Sequence, residues 1–198
     1  MKKIVKIAIT GGPGGGKTTA LDLFQRELQN KVKVVPEAAT MLFHYGIKRE
    51  SETERIKLLQ QEIYRMQLNL EDSIARLHPE RLLVCDRGTL DGIAYWPGPE
   101  ADFFTTIGSS FEQEADRYDA VIFFQTAVKN AEDVTSNNPF RSEGPSAATI
   151  LDEKLKQVWQ RHPNFHYVPT DSSFLKKITT GLFTINQVFL EQVRKHQT

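Results

Sequence analysis

The chain has a single cysteine, Cys85, in 198 residues. No internal disulfide can form, and a reducing cytoplasm is the expected setting. It has no excess of either charge, since 25 Lys and Arg balance 25 Asp and Glu. That argues against nucleic acid as a partner, because a broad basic footprint is missing. No apolar run approaches the roughly 20 residues that span a bilayer, so no membrane partner is expected. Met1-Lys2-Lys3 followed by apolar residues has the flank of a signal peptide. The stretch is short and broken by Lys6, and it reads instead as a first strand. His44, His78, His162, His166 and His196 show no metal-ligand spacing with one another or with Cys85. An Asn-Lys-x-Asp guanine-recognition motif is missing, and no Asp-x-x-Gly follows the third strand. Both absences argue against a GTPase and make ATP the expected nucleotide.

What is present is concentrated near the start. Gly11-Gly12-Pro13-Gly14-Gly15-Gly16-Lys17-Thr18-Thr19 fits G-x-x-x-x-G-K-[ST]. The apolar segment Ile4–Ile9 leads into it as a strand, and Thr19–Asn30 leaves it as a helix. Strand, glycine loop and helix together are the phosphate-binding arrangement. Glycines let backbone N–H groups close around an anion, and the helix start adds unpaired N–H groups and a positive dipole end. Lys17 is placed for the β and γ phosphates, and the Thr18 hydroxyl for Mg²⁺. The cofactor reading is ATP with Mg²⁺.

Beyond the loop, apolar runs and helical periods alternate. Strands are expected at Lys31–Val35, Leu82–Cys85, Ala120–Phe124 and Phe165–Val168. Helices are expected over Ile47–Leu77, Glu100–Arg117, Ala147–Arg161 and Ser172–Lys195. The pattern is one α/β domain over 1–198, a three-layer α/β/α P-loop fold on a five-stranded parallel sheet. Thr126–Ser146, rich in Asn, Gly, Pro and Ser, reads as a lid. Within Ile47–Leu77 the apolar positions step by three and four. That seam packs on the sheet or, alternatively, serves a homodimer or protein partner.

Ligands of parallel sheets bind at the carboxyl ends of strands. Asp86 ends the third strand and has the form of the acidic Mg²⁺ residue opposite Thr18. Arg87 follows where motor-type ATPases place a glutamate, which weakens a hydrolase reading. Glu37, after the second strand, is placed to accept a proton from an incoming hydroxyl, with Asp86 open as the alternative base. Arg87 can clamp phosphate oxygens. Asp91 either binds an acceptor hydroxyl or pairs with Arg87. Arg141 is the only arginine of the lid and can close over the γ-phosphate, with Glu143 as its anchor or an acceptor contact. Trp96, Phe103 and Phe104 read as core or, alternatively, as the lining of an acceptor pocket.

These motifs resemble a known group. The glycine loop looks like that of adenylate-kinase-like enzymes. Val35-Pro36-Glu37-Ala38-Ala39 and Cys85-Asp86-Arg87-Gly88-Thr89-Leu90-Asp91 resemble the small P-loop family known as an AAA-type ATPase domain. That family is similar to ribosylnicotinamide kinase domains and to deoxynucleoside kinases. The resemblance implies a glutamate base at Glu37 and an acid–arginine pair at Asp86 and Arg87. It departs in the lid, where those kinases commonly carry more than one arginine. The expected activity is a kinase that moves the γ-phosphate of ATP to a hydroxyl of a small, nucleoside-like acceptor. The rival is a nucleotide-dependent switch or ATPase acting on a protein partner.

Overall fold

The computed structural model describes residues 4–126, 145–171 and 173–195. Thr126–Ser146, read as the lid, lies almost wholly outside the described residues, as do Arg141 and Glu143. The strands are β1 (Lys6–Thr10), β2 (Val32–Val35), β3 (Leu82–Asp86), β4 (Ala120–Phe124) and β5 (Phe165–Val168). They form one parallel sheet in the order β2-β3-β1-β4-β5. From β1 the chain passes to the edge strand β2, returns to β3 beside β1, and then crosses to β4 and β5 on the other side. The crevice at such a reversal is where parallel sheets bind ligands.

Alternation along the strands sorts two cores. Ile7, Ile9, Leu82, Val84, Ile122 and Phe124 face one way, against Leu21 and Phe24 of α1 (Lys17–Leu28) and Ile178, Ile185 and Phe189 of α8 (Phe174–Lys195). Ala8, Leu83, Cys85 and Val121 face the other way. They meet Leu70 and Ile74 of α3 (Thr53–Leu77) and Val158 and Trp159 of α7 (Pro145–Trp159). Two-sided burial explains why the central strands read as continuous apolar runs.

Three local expectations change. The long helix begins at Thr53 rather than Ile47, and a short α2 (Ala38–His44) precedes it. Residues 100–117 form two helices, α5 (Glu100–Ile107) and α6 (Phe111–Ala115). Gly108, left-handed at φ 67°, ends the first, and the Ser110 side chain caps the second by accepting from Gln113 N–H. A further short helix, α4 (Asp91–Tyr95), follows β3. The α3 seam also packs unexpectedly. Its fully buried line is Gln60, Gln67 and Glu71, while Ile56, Leu59, Ile63, Met66, Leu70 and Ile74 flank it half-buried. Trp96 and Phe103 are buried core, with rings edge to face at 5.3 Å.

Candidate active site

The phosphate loop joins β1 to α1. Gly11 has φ 126°, and a Cβ there would lie 2.0 Å from the Phe124 carbonyl oxygen. Only glycine fits at that position. Lys17 is buried, and its Nζ donates to the Gly11 and Gly12 carbonyls at 2.8 and 2.7 Å. Thr18 and Thr19 are exposed at the first turn of α1.

Beside the loop stands Arg87, the residue after β3. Its φ of 83° is left-handed, a conformation that side chains with a Cβ rarely adopt. Five groups hold it there. Its backbone N–H donates to Ile9 O at 3.0 Å, and its carbonyl accepts from Gln67 Nε2 at 3.3 Å. Nε donates to Glu37 Oε1 at 3.2 Å. Nη1 donates to Gly11 O at 2.6 Å and to Asp91 Oδ2 at 3.1 Å. A guanidinium carries five N–H groups in a fixed fork, so these bonds leave the Nη2 pair uncommitted among the described residues. Burial works against the Arg87 charge, but Tyr95, Glu37, Asp91 and Asp86 outweigh it and hold the proton more firmly than usual.

Glu37 sits at the start of α2, half-buried, with Oε2 accepting from Thr40 Oγ1 at 2.6 Å. Asp91 makes the expected pair with Arg87. Its carboxylate accepts from Thr10 Oγ1 at 2.9 Å, from Trp159 Nε1 at 2.7 Å and from Arg87. Asp86 ends β3 in register with Ile9 of β1, immediately before the loop's last strand residue. Lys17, Arg87 and Glu37 are thus brought to one place around Gly11, and Arg141 cannot be assigned to it because it lies outside the described residues.

A cavity of about 240 Å³ opens from this cluster between α2, α3 and α4. Pro13, Glu37 and Arg87 form its inner end; Phe43, Ile56, Leu59 and Ile63 form an apolar side, and Gln60 and Gln67 add amides. The sequence reading missed both glutamines and the Thr10, Trp159 and Asp152 contacts. The seven-residue spacing of Gln60 and Gln67, on one face of a helix, is the only local signal that points to any of them.

Among solved structures, the chain matches a deoxyadenosine kinase from M. mycoides with bound dATP. The TM-score is 0.60 at 17% identity, over 92% of this chain and 99% of that one. At that identity the match shows the fold, which is that of P-loop nucleoside kinases. No curated protein matches by sequence. The family model described as AAA domain matches residues 6–173, and the chain belongs to that P-loop family.

Proposed function

We propose that the protein is an ATP-dependent kinase for a hydroxyl of a small, nucleoside-like acceptor. One observation carries this reading: Glu37 and Arg87 form an ion pair that borders the phosphate loop at Gly11 and the acceptor-sized cavity at once. The cavity is small beside ligand pockets of roughly 300–1,000 Å³, which suits one nucleoside-sized molecule. In the transfer, the acceptor oxygen bonds to the γ-phosphorus, the bond to the β-phosphate oxygen breaks, and Glu37 takes the hydroxyl proton. Lys17 and the Arg87 guanidinium offset the charge that builds on phosphate oxygens.

The Thr18 hydroxyl, in the first turn of α1, and the Asp86 carboxylate, at the end of β3, are hard oxygen donors, a set that fits Mg²⁺ with water and phosphate completing its shell. Bound there, the ion would neutralise phosphate charge. The single buried Cys85 supports a cytoplasmic location. The likeness to a deoxyadenosine kinase makes purine deoxynucleosides the first acceptors to try.

The test is incubation with Mg-ATP and a mixture of ribosides, deoxyribosides and nicotinamide riboside, read by mass spectrometry with ADP counted in parallel. One phosphorylated product per ADP is expected. Lys17→Ala should lower turnover about 10²-fold or more while the variant stays folded. ADP released without a phosphorylated acceptor would instead favour a partner-regulated ATPase.

A further inference from the structure

Asp152, on α7, is 6% exposed, and no motif marks it. Its Oδ1 accepts the Gly12 N–H at 2.7 Å and the Thr126 N–H at 3.0 Å. These amides belong to the loops after two neighbouring strands, β1 and β4. One carboxylate oxygen therefore ties the phosphate loop to the segment behind it.

Gln125 and Thr126 are themselves held by several bonds. Gln125 N–H donates to Val168 O at 3.0 Å, and Gln125 Oε1 accepts from Thr170 N–H at 2.8 Å. The Lys177 ammonium donates to Gln125 O. Thr126 O accepts from Thr170 Oγ1 at 2.9 Å, and Thr126 Oγ1 donates to Pro13 O. Residues 125–126 are a fixed base, and Asp152 carries that fixity to Gly12. The general loop motif leaves position 12 open, yet here a Cβ would lie 2.7 Å from Asp152 Oδ1 and 2.9 Å from Asp152 Cβ. Glycine at 12 is what lets the carboxylate approach.

Gly12 has a second support, on its opposite group. Its carbonyl accepts from Lys17 Nζ. A lysine that turns its ammonium to phosphate oxygens releases that carbonyl and the Gly11 carbonyl. The Asp152 bond, on the N–H side, does not compete with phosphate. Burial pushes the Asp152 carboxyl up, against the two N–H groups and against Lys17 and Lys177, which favour its charge.

We propose that Asp152 is the positioning residue of the phosphate loop, fixing Gly12 and the loop's inward-facing amides whether or not Lys17 rests on the loop carbonyls. A loop already in its binding shape loses less conformational freedom when nucleotide arrives.

The test is Mg-ATP affinity by titration calorimetry, without any acceptor, beside a thermal melt. Asp152→Ala should weaken Mg-ATP binding roughly tenfold to a hundredfold while still melting cooperatively. Asp152→Asn keeps one oxygen where both N–H groups donate and should stay within about threefold of wild type. A merely structural role would lower the melting temperature of the alanine variant and leave the ATP affinity of its folded form at the wild-type value. A folded alanine variant with wild-type affinity, or an asparagine variant as weak as alanine, overturns the proposal. If the alanine variant does not fold, amide exchange on the wild-type chain decides. Gly12 and Thr126 should stay protected with and without Mg-ATP, and a Gly12 amide exchanging as fast as an open loop overturns it. A wild type that binds Mg-ATP but phosphorylates nothing would defeat the kinase reading alone.

Discussion

At the carboxyl end of β3 a cation is held by two carboxylates; near the amino ends of β1 and β4 a carboxylate is held by two cations. The first is Arg87 with Glu37 and Asp91. The second is Glu71, whose side chain is wholly buried and meets Lys6 at 3.0 Å and Arg117 at 2.9 Å. Gln67 links them, its Nε2 donating to Glu71 Oε1 at 3.0 Å and to Arg87 O. The two differ in what is left over. Glu71 also accepts from Tyr118 OH at 2.7 Å, so four donors fill the capacity of its two oxygens. Arg87 keeps Nη2 uncommitted among the described residues and borders the cavity. A saturated network stabilises and specifies the fold, whereas one with spare capacity beside a cavity can meet a ligand.

Glu71→Ala should give the largest effect. It leaves Lys6 and Arg117 without their buried carboxylate, which costs about 3–5 kcal/mol of stability. Urea melts would measure this, and the folded protein should keep wild-type Mg-ATP affinity. The pH dependence has a definite sign. Burial would raise the Glu71 carboxyl, but Lys6, Arg117, Tyr118 and Gln67 outweigh it and hold it below its usual 4.5. Its contribution is therefore full above 4.5 and is lost as pH falls through the lower folded value. Wild type should lose more stability than Glu71→Gln over that acid range. Equal slopes would mean that Glu71 is not the saturated ionic centre described.

Arg87→Lys sharpens the contrast from the other side. Lysine offers a point charge and cannot supply the fork. Phosphoryl transfer should fall roughly 10²–10³-fold, with a smaller loss in urea stability than for Glu71→Ala. If stability falls while the rate per folded molecule holds, the two networks are alike in function and the contrast fails.

Legibility in the sequence followed range. The phosphate loop is nine consecutive residues with a local reason for each, and the central strands announce two-sided burial by unbroken apolar runs. What stayed hidden depends on distant partners. Glu71 is buried because Lys6 and Arg117, 65 and 46 residues away, neutralise it. A period count on α3 sees only the apolar seam and assigns it the buried face. Asp152 lies 140 residues from Gly12, and nothing nearby marks it. The break at Gly108 was visible as a glycine, but its left-handed conformation was not. Asp91 illustrates the remaining limit: its pairing with Arg87 was one of two readings, and its bonds to Thr10 and Trp159 have no local signal.

The smallest effect concerns Glu37, the member of the Arg87 network that the kinase reading places on the acceptor proton. Thr40 Oγ1 donates to Oε2 while Arg87 holds Oε1, so the two oxygens are oriented by separate donors. Thr40→Val keeps the shape and removes one charge-assisted bond, worth about 1.5–3 kcal/mol at most and less where water replaces it. Glu37 is half-buried, so water reaches it. The rate should therefore drop only several-fold, roughly 3–10-fold, at unchanged Mg-ATP affinity and nearly unchanged stability. Steady-state kinetics on the acceptor that the mass-spectrometric screen yields would check this. A Thr40→Val protein with a wild-type rate would mean that the Thr40 bond does not orient Glu37. One as slow as Arg87→Lys would mean that the Thr40 bond is as decisive as the guanidinium, and that the spare capacity of Arg87 is not what separates this network from that of Glu71.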